Sequence, residues 1–148
     1  MFDAPHQFTF FWLIRYNSKS SAAQIGTAYL LSPQASTSAV HRAALKAGRD
    51  DTTRLTNLFT GRPARGHLNR YLREQGPMNA AAPAFPLATG AITPLRNHAE
   101  KTGSGEFSPL WSGEAAPLAR EEDAGEFTRR VWKDASARIA TIARRTCD

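Results

Sequence analysis

The amino-acid sequence predicts an α/β protein that is mostly helical and contains a few short strands. Two observations lead to this prediction. A short apolar run at residues 22–30, which includes a Gly-Thr pair, is typical of a buried strand that ends at a binding site. Residues 121–145 instead repeat their apolar positions every three or four residues, which is the period of an amphipathic helix.

The predicted strand at 22–30 leads directly into a predicted helix. Ser32 is a suitable N-cap and Pro33 suits the first helical position, while Gly48 is expected to end the helix. The two elements together predict one strand–helix unit. The apolar face of its helix consists of Ala35, Ala39, Val40, Ala43, Ala44 and Ala47.

Short elements are predicted for the middle of the chain, because glycine and proline interrupt it repeatedly. The final helix is predicted at 121–145, and its first residues, Glu121, Glu122 and Asp123, suit a helix N-terminus or an exposed loop. The expected middle elements are a strand at 55–60, a helix at 68–75, an extended connector at 78–86, a helix at 92–101 and a loop at 103–113.

Composition restricts the class of protein. With 148 residues, of which 41% are hydrophobic, the chain has the size of one modest domain with its own core. The single cysteine, Cys147, excludes an intramolecular disulfide framework, so a reducing, cytoplasmic location is expected. The longest strongly apolar stretch, at residues 8–14, is too short to span a membrane and lacks the basic residues that precede a signal sequence.

The chain is basic, with a formal net charge of +6 and a pI of about 10.1, which raises the hypothesis of an anionic partner such as nucleic acid. The arginines are scattered among acidic and alanine residues, so binding to nucleic acid is not the favoured prediction. The alternative remains a non-enzymatic basic binding module. Its anion-facing residues would lie on the last helix and would be Arg129, Arg130, Arg138, Arg144 and Arg145.

Three motifs occur in a fixed order: the Gly-Thr segment at 24–27, a Gly-Arg-Pro-Ala-Arg-Gly segment at 61–66, and Phe-Ser-Pro-Leu-Trp-Ser-Gly at 107–113. In this order and spacing, residues 21–132 resemble the C-terminal part of the nitronate monooxygenases.

The resemblance implies a C-terminal fragment of an FMN-binding (β/α)8 barrel with its helical substrate-side tail. A complete barrel of this kind needs about 250 residues. Residues 1–20 do not match the family pattern, which would hold a Gly-Gly turn there, and residues 21–148 form the matching part.

The resemblance also implies an activity, namely the oxidative denitrification of alkyl nitronates with molecular oxygen. It assigns cofactor binding to Gln24, Ile25, Gly26 and Thr27, whose backbone amides, with the Thr27 hydroxyl, would hold the FMN phosphate. A glycine at this place allows the backbone to approach an anion closely. The competing interpretation is an ordinary strand end with a permissive glycine.

Two further motifs allow two interpretations each. The rigid turn at 61–66 directs Arg62 and Arg65 either toward the substrate-side domain or an anionic group, or into a buried structural salt bridge. Trp111 either lines an apolar nitronate pocket or packs under its loop. Glu114 stands where the resemblance implies glutamine, and would add a negative charge where an anionic substrate approaches.

No catalytic residue is expected in this chain. The family's catalytic base is an upstream histidine in a Gly-Gly-His context, and none of His6, His41, His67 and His98 has that setting. His41 and His67 are expected to be solvent-facing or capping groups, and no histidine pair has the spacing of a metal site. The isolated chain is therefore predicted to bind FMN weakly or not at all, and to show no turnover.

Overall fold

The computed structural model describes residues 23–47 and 52–145. Within these ranges it is mostly helical and contains one two-stranded sheet, which confirms the predicted balance of elements. The α-helices are α1 (Ala39–Ala47), α2 (Arg70–Gln75), α3 (Leu87–Lys101) and α4 (Ala124–Arg145), the strands are β1 (Thr53–Thr56) and β2 (Ala64–His67), and two 3-10 helices cover Thr27–Leu31 and Ala116–Leu118.

The two strands form an antiparallel hairpin in which Thr53 lies opposite His67 and Thr56 opposite Ala64. The turn between them requires a glycine at position 61, where φ is +83° and an added Cβ would lie 2.4 Å from the backbone nitrogen of Phe85. The sequence placed the first strand at 55–60 and missed the second. The chain leaves β1 early because the Thr56 hydroxyl accepts a hydrogen bond from the Leu58 amide.

The predicted strand at 22–30 is wrong. Residues 23–26 have no regular structure, and Thr27–Leu31 is a 3-10 helix whose first turn is closed by a hydrogen bond from the Tyr29 amide to the Gly26 carbonyl. A buried strand needs a neighbouring strand on each side to satisfy its backbone groups. Because the sheet in the described residues consists of the hairpin alone, this segment satisfies its backbone groups locally.

The next helix also begins later than predicted. Helix α1 starts at Ala39, so Ser32 is not its N-cap, and the expected stop at Gly48 lies outside the described residues. Between Ser32 and α1 the chain turns, and the Arg42 guanidinium holds this turn by donating to the carbonyl oxygens of Leu31, Ser32 and Ala35. The Ser38 hydroxyl, rather than that of Ser32, accepts a hydrogen bond near the helix start, from the His41 amide at 3.3 Å.

The three remaining helices were predicted, but in the structure each begins at a different residue from the predicted one. Helix α2 begins after Asn69, whose side chain accepts a hydrogen bond from the Leu72 amide. Helix α3 begins at Leu87, directly after the predicted connector and five residues before the predicted helix start at 92. Helix α4 begins after Asp123, whose carboxylate accepts hydrogen bonds from the amides of Gly125 and Glu126 at 2.8 and 3.0 Å. These bonds confirm a helix-start role for Asp123 but not for Glu121 and Glu122, and they hold the pKa of Asp123 below its ordinary value.

Two apolar clusters form the core. The first cluster lies between the hairpin turn, α2 and α3, and the second lies between α1 and the two 3-10 helices. None of the helices in residues 23–47 and 52–145 combines the length and the hydropathy that crossing a bilayer requires. The first cluster consists of Leu58, Phe59, Leu72 and Ile92, and the second of Leu31, Leu45 and Ala116.

Candidate functional site

The 105–114 loop joins the parts of the structure that carry the three motifs. Trp111 forms an antiparallel bridge with Gly66 of β2, the Ser112 amide donates to the Arg65 carbonyl at 3.0 Å, and the His67 amide donates to the Leu110 carbonyl at 2.8 Å. This approach requires glycine at position 66, because an added Cβ would lie 2.9 Å from the Leu110 carbonyl oxygen. The loop therefore runs along β2 as an irregular third strand.

The start of the 105–114 loop is fixed by a buried asparagine. The side-chain nitrogen of Asn69 donates to the carbonyl oxygens of Gly105 and Ser108, each at 3.0 Å. The Ser108 hydroxyl in turn donates to the Glu100 carboxylate at 2.6 Å. Burial alone would raise the pKa of Glu100, but the hydrogen bonds from Ser108 and Arg96 outweigh it and hold that pKa below its ordinary value.

The end of the 105–114 loop meets the predicted cofactor segment. Gln24, Ile25 and Gly26 precede the first 3-10 helix, and Thr27 is its first residue. The Thr27 Oγ1 accepts a hydrogen bond from the Gly113 amide at 2.8 Å. A Cβ added to Gly26 would meet nothing within 4 Å, so there is open space beside the backbone where a side chain would otherwise lie.

The two arginines of the 61–66 motif contact different partners. Arg65 forms an ion pair with Glu114 at 2.7 Å, and its Nη1 also donates to the Thr53 carbonyl and hydroxyl. The Arg62 guanidinium instead lies over the Phe85 ring, 4.2 Å from its centroid. Arg65 thus forms a salt bridge that pairs the negative charge of Glu114, but the pair is not buried as predicted, since the Glu114 side chain is 64% exposed.

Trp111 packs under its loop. Its ring meets the edge of Phe59 with centroids 5.7 Å apart, which adds it to the first cluster. Its carbonyl oxygen lies 2.8 Å from the Nε2 of His41, and since a carbonyl only accepts, that nitrogen carries the donated proton. The packing interpretation of Trp111 therefore describes this structure.

The histidine expectation needs a correction. His67 is buried, with 6% of its surface exposed, because the 105–114 loop covers this end of β2. Its Nδ1 lies 3.2 Å from the Thr52 hydroxyl, and its Nε2 is buried with no hydrogen-bond partner among the described residues. Burial lowers the pKa of His67 from its ordinary value of 6.5, and the nearby His41 lowers it further.

His41 is also not solvent-facing, since its ring is partly buried against Trp111. His98 is exposed on α3, and His6 lies outside the described residues. No cluster of three or more histidine, cysteine, aspartate or glutamate side chains suited to a metal ion occurs in the described part of the chain. No pattern in the sequence signals the burial of His67, because Gly66 and His67 are both buried in β2 and β2 itself was not predicted.

Part of the charge of the basic helix α4 is paired with an acidic residue that precedes the helix. The Arg130 guanidinium forms an ion pair with Glu122 and lies 5.4 Å from the centroid of the Phe127 ring. Nearer the C-terminal end, Arg144 donates to the Thr141 hydroxyl at 3.3 Å. The side chain of Arg145 lies outside the described residues.

Comparison with known proteins gives a consistent result. The family model for nitronate monooxygenase matches residues 18–133. A nitronate monooxygenase of Pseudomonas aeruginosa is 39% identical over 116 residues, which cover 78% of this chain and 33% of that protein. A probable nitronate monooxygenase of Staphylococcus saprophyticus is 28% identical over 117 residues, which cover 79% of this chain and 33% of that protein.

A solved structure shows the same likeness. The nitroalkane oxidase from Streptomyces ansochromogenes superposes with a TM-score of 0.72 and 39% sequence identity. The match covers 85% of this chain and 36% of that one. The chain thus spans about a third of the length of the curated relatives it matches.

Proposed function

This chain belongs to the nitronate monooxygenase family, and we propose on that basis that it is the cofactor-phosphate and substrate-side part of an FMN-dependent oxidoreductase. The reaction proposed is the oxidative denitrification of alkyl nitronates with molecular oxygen. Bound FMN would supply the redox chemistry, and the protein would supply binding and orientation. The proposed location is the cytoplasm, and the proposed partners are a small nitronate and oxygen.

The donor set at Gln24–Thr27 fits a phosphate group. Backbone amides of this segment and the Thr27 hydroxyl are neutral donors of the kind that bind phosphate oxygens. The open space beside Gly26 lets an anion approach the backbone without displacing a side chain. The Thr27 hydroxyl oxygen accepts a hydrogen bond from the Gly113 amide, so the hydroxyl proton remains available to donate to a ligand.

The observation that carries this proposal is the contact between Thr27 and Gly113, which joins the segment at 24–27 to the 105–114 loop. It places two of the three family motifs side by side, although they are far apart in the sequence. The third motif is connected through Arg65, which holds Glu114. A shared site for these motifs is the simplest reason for such an arrangement.

No described histidine is proposed as the catalytic base. His41 is engaged with the Trp111 carbonyl, His67 is buried, and His98 is exposed on α3. We propose that the base belongs to a part of the family protein that this chain does not match. The isolated chain should accordingly show no nitronate-dependent oxygen uptake, and measurable turnover would contradict this.

The test is a titration of the isotope-labelled chain with FMN, followed by the chemical shifts of its backbone amides. We expect weak binding with the largest shifts at Gly26 and Thr27, and smaller shifts there with riboflavin, which lacks the phosphate. Gly26→Ala should weaken the response because its methyl group occupies the space proposed for the anion. Gly90→Ala is the matched control, since a Cβ at Gly90 also meets nothing within 4 Å.

Two results would count against the proposal. One is that FMN shifts other amides and leaves those of Gly26 and Thr27 unchanged. The other is equal shifts at Gly26 and Thr27 with FMN and riboflavin, which would mean that the phosphate is not bound there.

The basic binding module makes a different prediction. Duplex DNA should then bind with an affinity that falls steeply with salt, with a slope of about 0.9 per phosphate contacted. The paired state of Arg130 reduces the free charge on α4 and does not favour this alternative. Salt-dependent DNA binding with no response to FMN would reverse the order of the two proposals.

A further inference from the structure

We infer that Gly113 is a positioning residue for the FMN phosphate, because its amide fixes the direction in which the Thr27 hydroxyl donates. This inference rests on the proposed function, since it concerns the same cofactor site. It adds the 105–114 loop to the residues that determine the affinity for the phosphate. Gly113 would touch Thr27 and not the phosphate itself.

The hydrogen-bond chemistry of Thr27 carries the first step. A hydroxyl has one proton to donate and two lone pairs that accept. The Gly113 nitrogen lies 2.8 Å from Thr27 Oγ1 and donates, so the oxygen is the acceptor in this bond. Within residues 23–47 and 52–145, no group accepts the Thr27 proton. That proton therefore remains available, and its direction is restricted by the bond from Gly113.

The second step is that Gly113 is itself held firmly. On one side, the Ser112 amide donates to the carbonyl oxygen of Arg65 at 3.0 Å. On the other side, Glu114 pairs with the guanidinium of the same Arg65 at 2.7 Å. The carbonyl of Gly113 also accepts from the Ala116 amide at 3.2 Å. One arginine of the 61–66 motif thus fixes both neighbours of Gly113.

The third step is steric. A Cβ added to Gly113 would lie 3.3 Å from Thr27 Oγ1, and no other atom outside its chain neighbours is within 4 Å. That distance is shorter than most real contacts of a Cβ atom, so the hydroxyl has to move by a few tenths of an ångström. Gly113→Ala is therefore a local change that acts on the Thr27 hydroxyl and leaves other contacts in place.

The experiment measures the dissociation constants of FMN and riboflavin for the full chain and its variants, from the amide shifts described above. We expect Gly113→Ala to weaken FMN binding by roughly threefold to tenfold, because a hydrogen bond to a charged group is misdirected. Thr27→Val should weaken it by about tenfold or more, because the donor is removed. Riboflavin affinity should change little in both variants, and Gly90→Ala should change neither ligand.

A second readout does not depend on the cofactor. The Gly113 amide should exchange with solvent faster in Thr27→Val, which lacks the acceptor, whereas Thr27→Ser should retain the slow exchange. Exchange at Gly113 that is unchanged in Thr27→Val would overturn the inference, because the bond would not exist in solution.

The outcomes separate the inference from the proposed function. If Thr27→Val weakens FMN binding and Gly113→Ala does not, Gly113 has no positioning role and the proposed function stands. If Gly113→Ala weakens FMN and riboflavin equally, the loop acts through general structure and the inference is again overturned. If FMN shifts other amides of the parent chain and not those of Gly26 and Thr27, the proposed phosphate site and the inference both fail.

Discussion

The first and second clusters are stabilised in different ways. The first cluster combines large aliphatic side chains with aromatic rings, since Phe59 contacts both Tyr71 and Trp111 edge-on. The second cluster contains two leucines and an alanine. Its surroundings depend on exposed polar contacts, such as the ion pair of Lys46 with Glu121 at 2.6 Å.

This difference indicates that the molecule opens more easily at the second cluster than at the first. Burial of large apolar side chains contributes about 1.5–3 kcal/mol each. An exposed ion pair contributes about 0–1 kcal/mol. The proposed cofactor segment borders the second cluster through Leu31, whereas the 105–114 loop is attached to the first through Trp111. The proposed site therefore joins a firmly packed part to a loosely packed part.

The largest expected effect compares two leucines. Leu72 is 0% exposed in the first cluster and Leu31 is 2% exposed in the second. Leu72→Ala should lower the free energy of unfolding by about 2–5 kcal/mol, because a cavity forms among closely packed rings. Leu31→Ala should mainly speed amide exchange in the first 3-10 helix and α1, with a smaller effect on global unfolding. Urea denaturation measures the global loss of stability in each variant, and hydrogen exchange measures the local opening. Equal global losses in the two variants would show that the clusters unfold as one unit.

An intermediate effect is expected from pH at the edge of the first cluster. The pKa of His67 in the folded chain lies below its ordinary value of 6.5, so the unfolded chain takes up the proton first as the pH falls. Stability should therefore decrease as the pH falls below 6.5, above the range in which Glu100 and Asp123 take up protons. Urea denaturation at a series of pH values measures this slope.

Two variants of similar chemistry sharpen that test. His67→Gln should flatten the slope below pH 6.5, whatever it does to the overall stability. His98→Gln should leave the slope unchanged, because His98 is exposed on α3. A slope that persists in His67→Gln would assign the acid sensitivity to another group.

The smallest effect is expected on α4. Trp132 is 74% exposed, so Trp132→Ala should change the free energy of unfolding by about 0.5 kcal/mol or less. Phe127, which lies on the same helix as Trp132, is buried against Tyr29 with ring centroids 4.9 Å apart, and Phe127→Ala is the contrasting variant because it should destabilise the fold about as much as Leu72→Ala. Thermal denaturation compares the two variants. A large loss in Trp132→Ala would mean that this side chain is covered in solution.

Local sequence signals predicted those parts of the fold that local interactions determine. Helix α4 was predicted from its apolar period, and in the structure the Asp123 carboxylate caps its first turn. The strand at 22–30 was not formed, because a strand depends on neighbours that may lie anywhere in the sequence. The family was predicted from motif order, and the 39% identity to the Pseudomonas aeruginosa enzyme confirms it.

The candidate site was less accessible to sequence reasoning. Thr27 was selected from its motif, but its contact with Gly113 joins residues 86 positions apart, and no local pattern reports such a bond. The burial of His67 depends on the 105–114 loop lying along β2. The pairing of Arg65 with Glu114 depends on the same loop. The motifs therefore predicted which residues matter, and tertiary structure determined which of them meet.

The placement of Trp111 and Trp132 gives the chain two fluorescent reporters with opposite sensitivities. Trp111 packs on Phe59 in the first cluster, so its emission should shift to longer wavelength when that cluster opens to water. Trp132 already faces solvent, and its emission should hardly change on unfolding. Once Trp12 and Trp132 are replaced by phenylalanine, the remaining signal follows the hairpin and the 105–114 loop, so a ligand that tightens this loop can be detected by light emission alone.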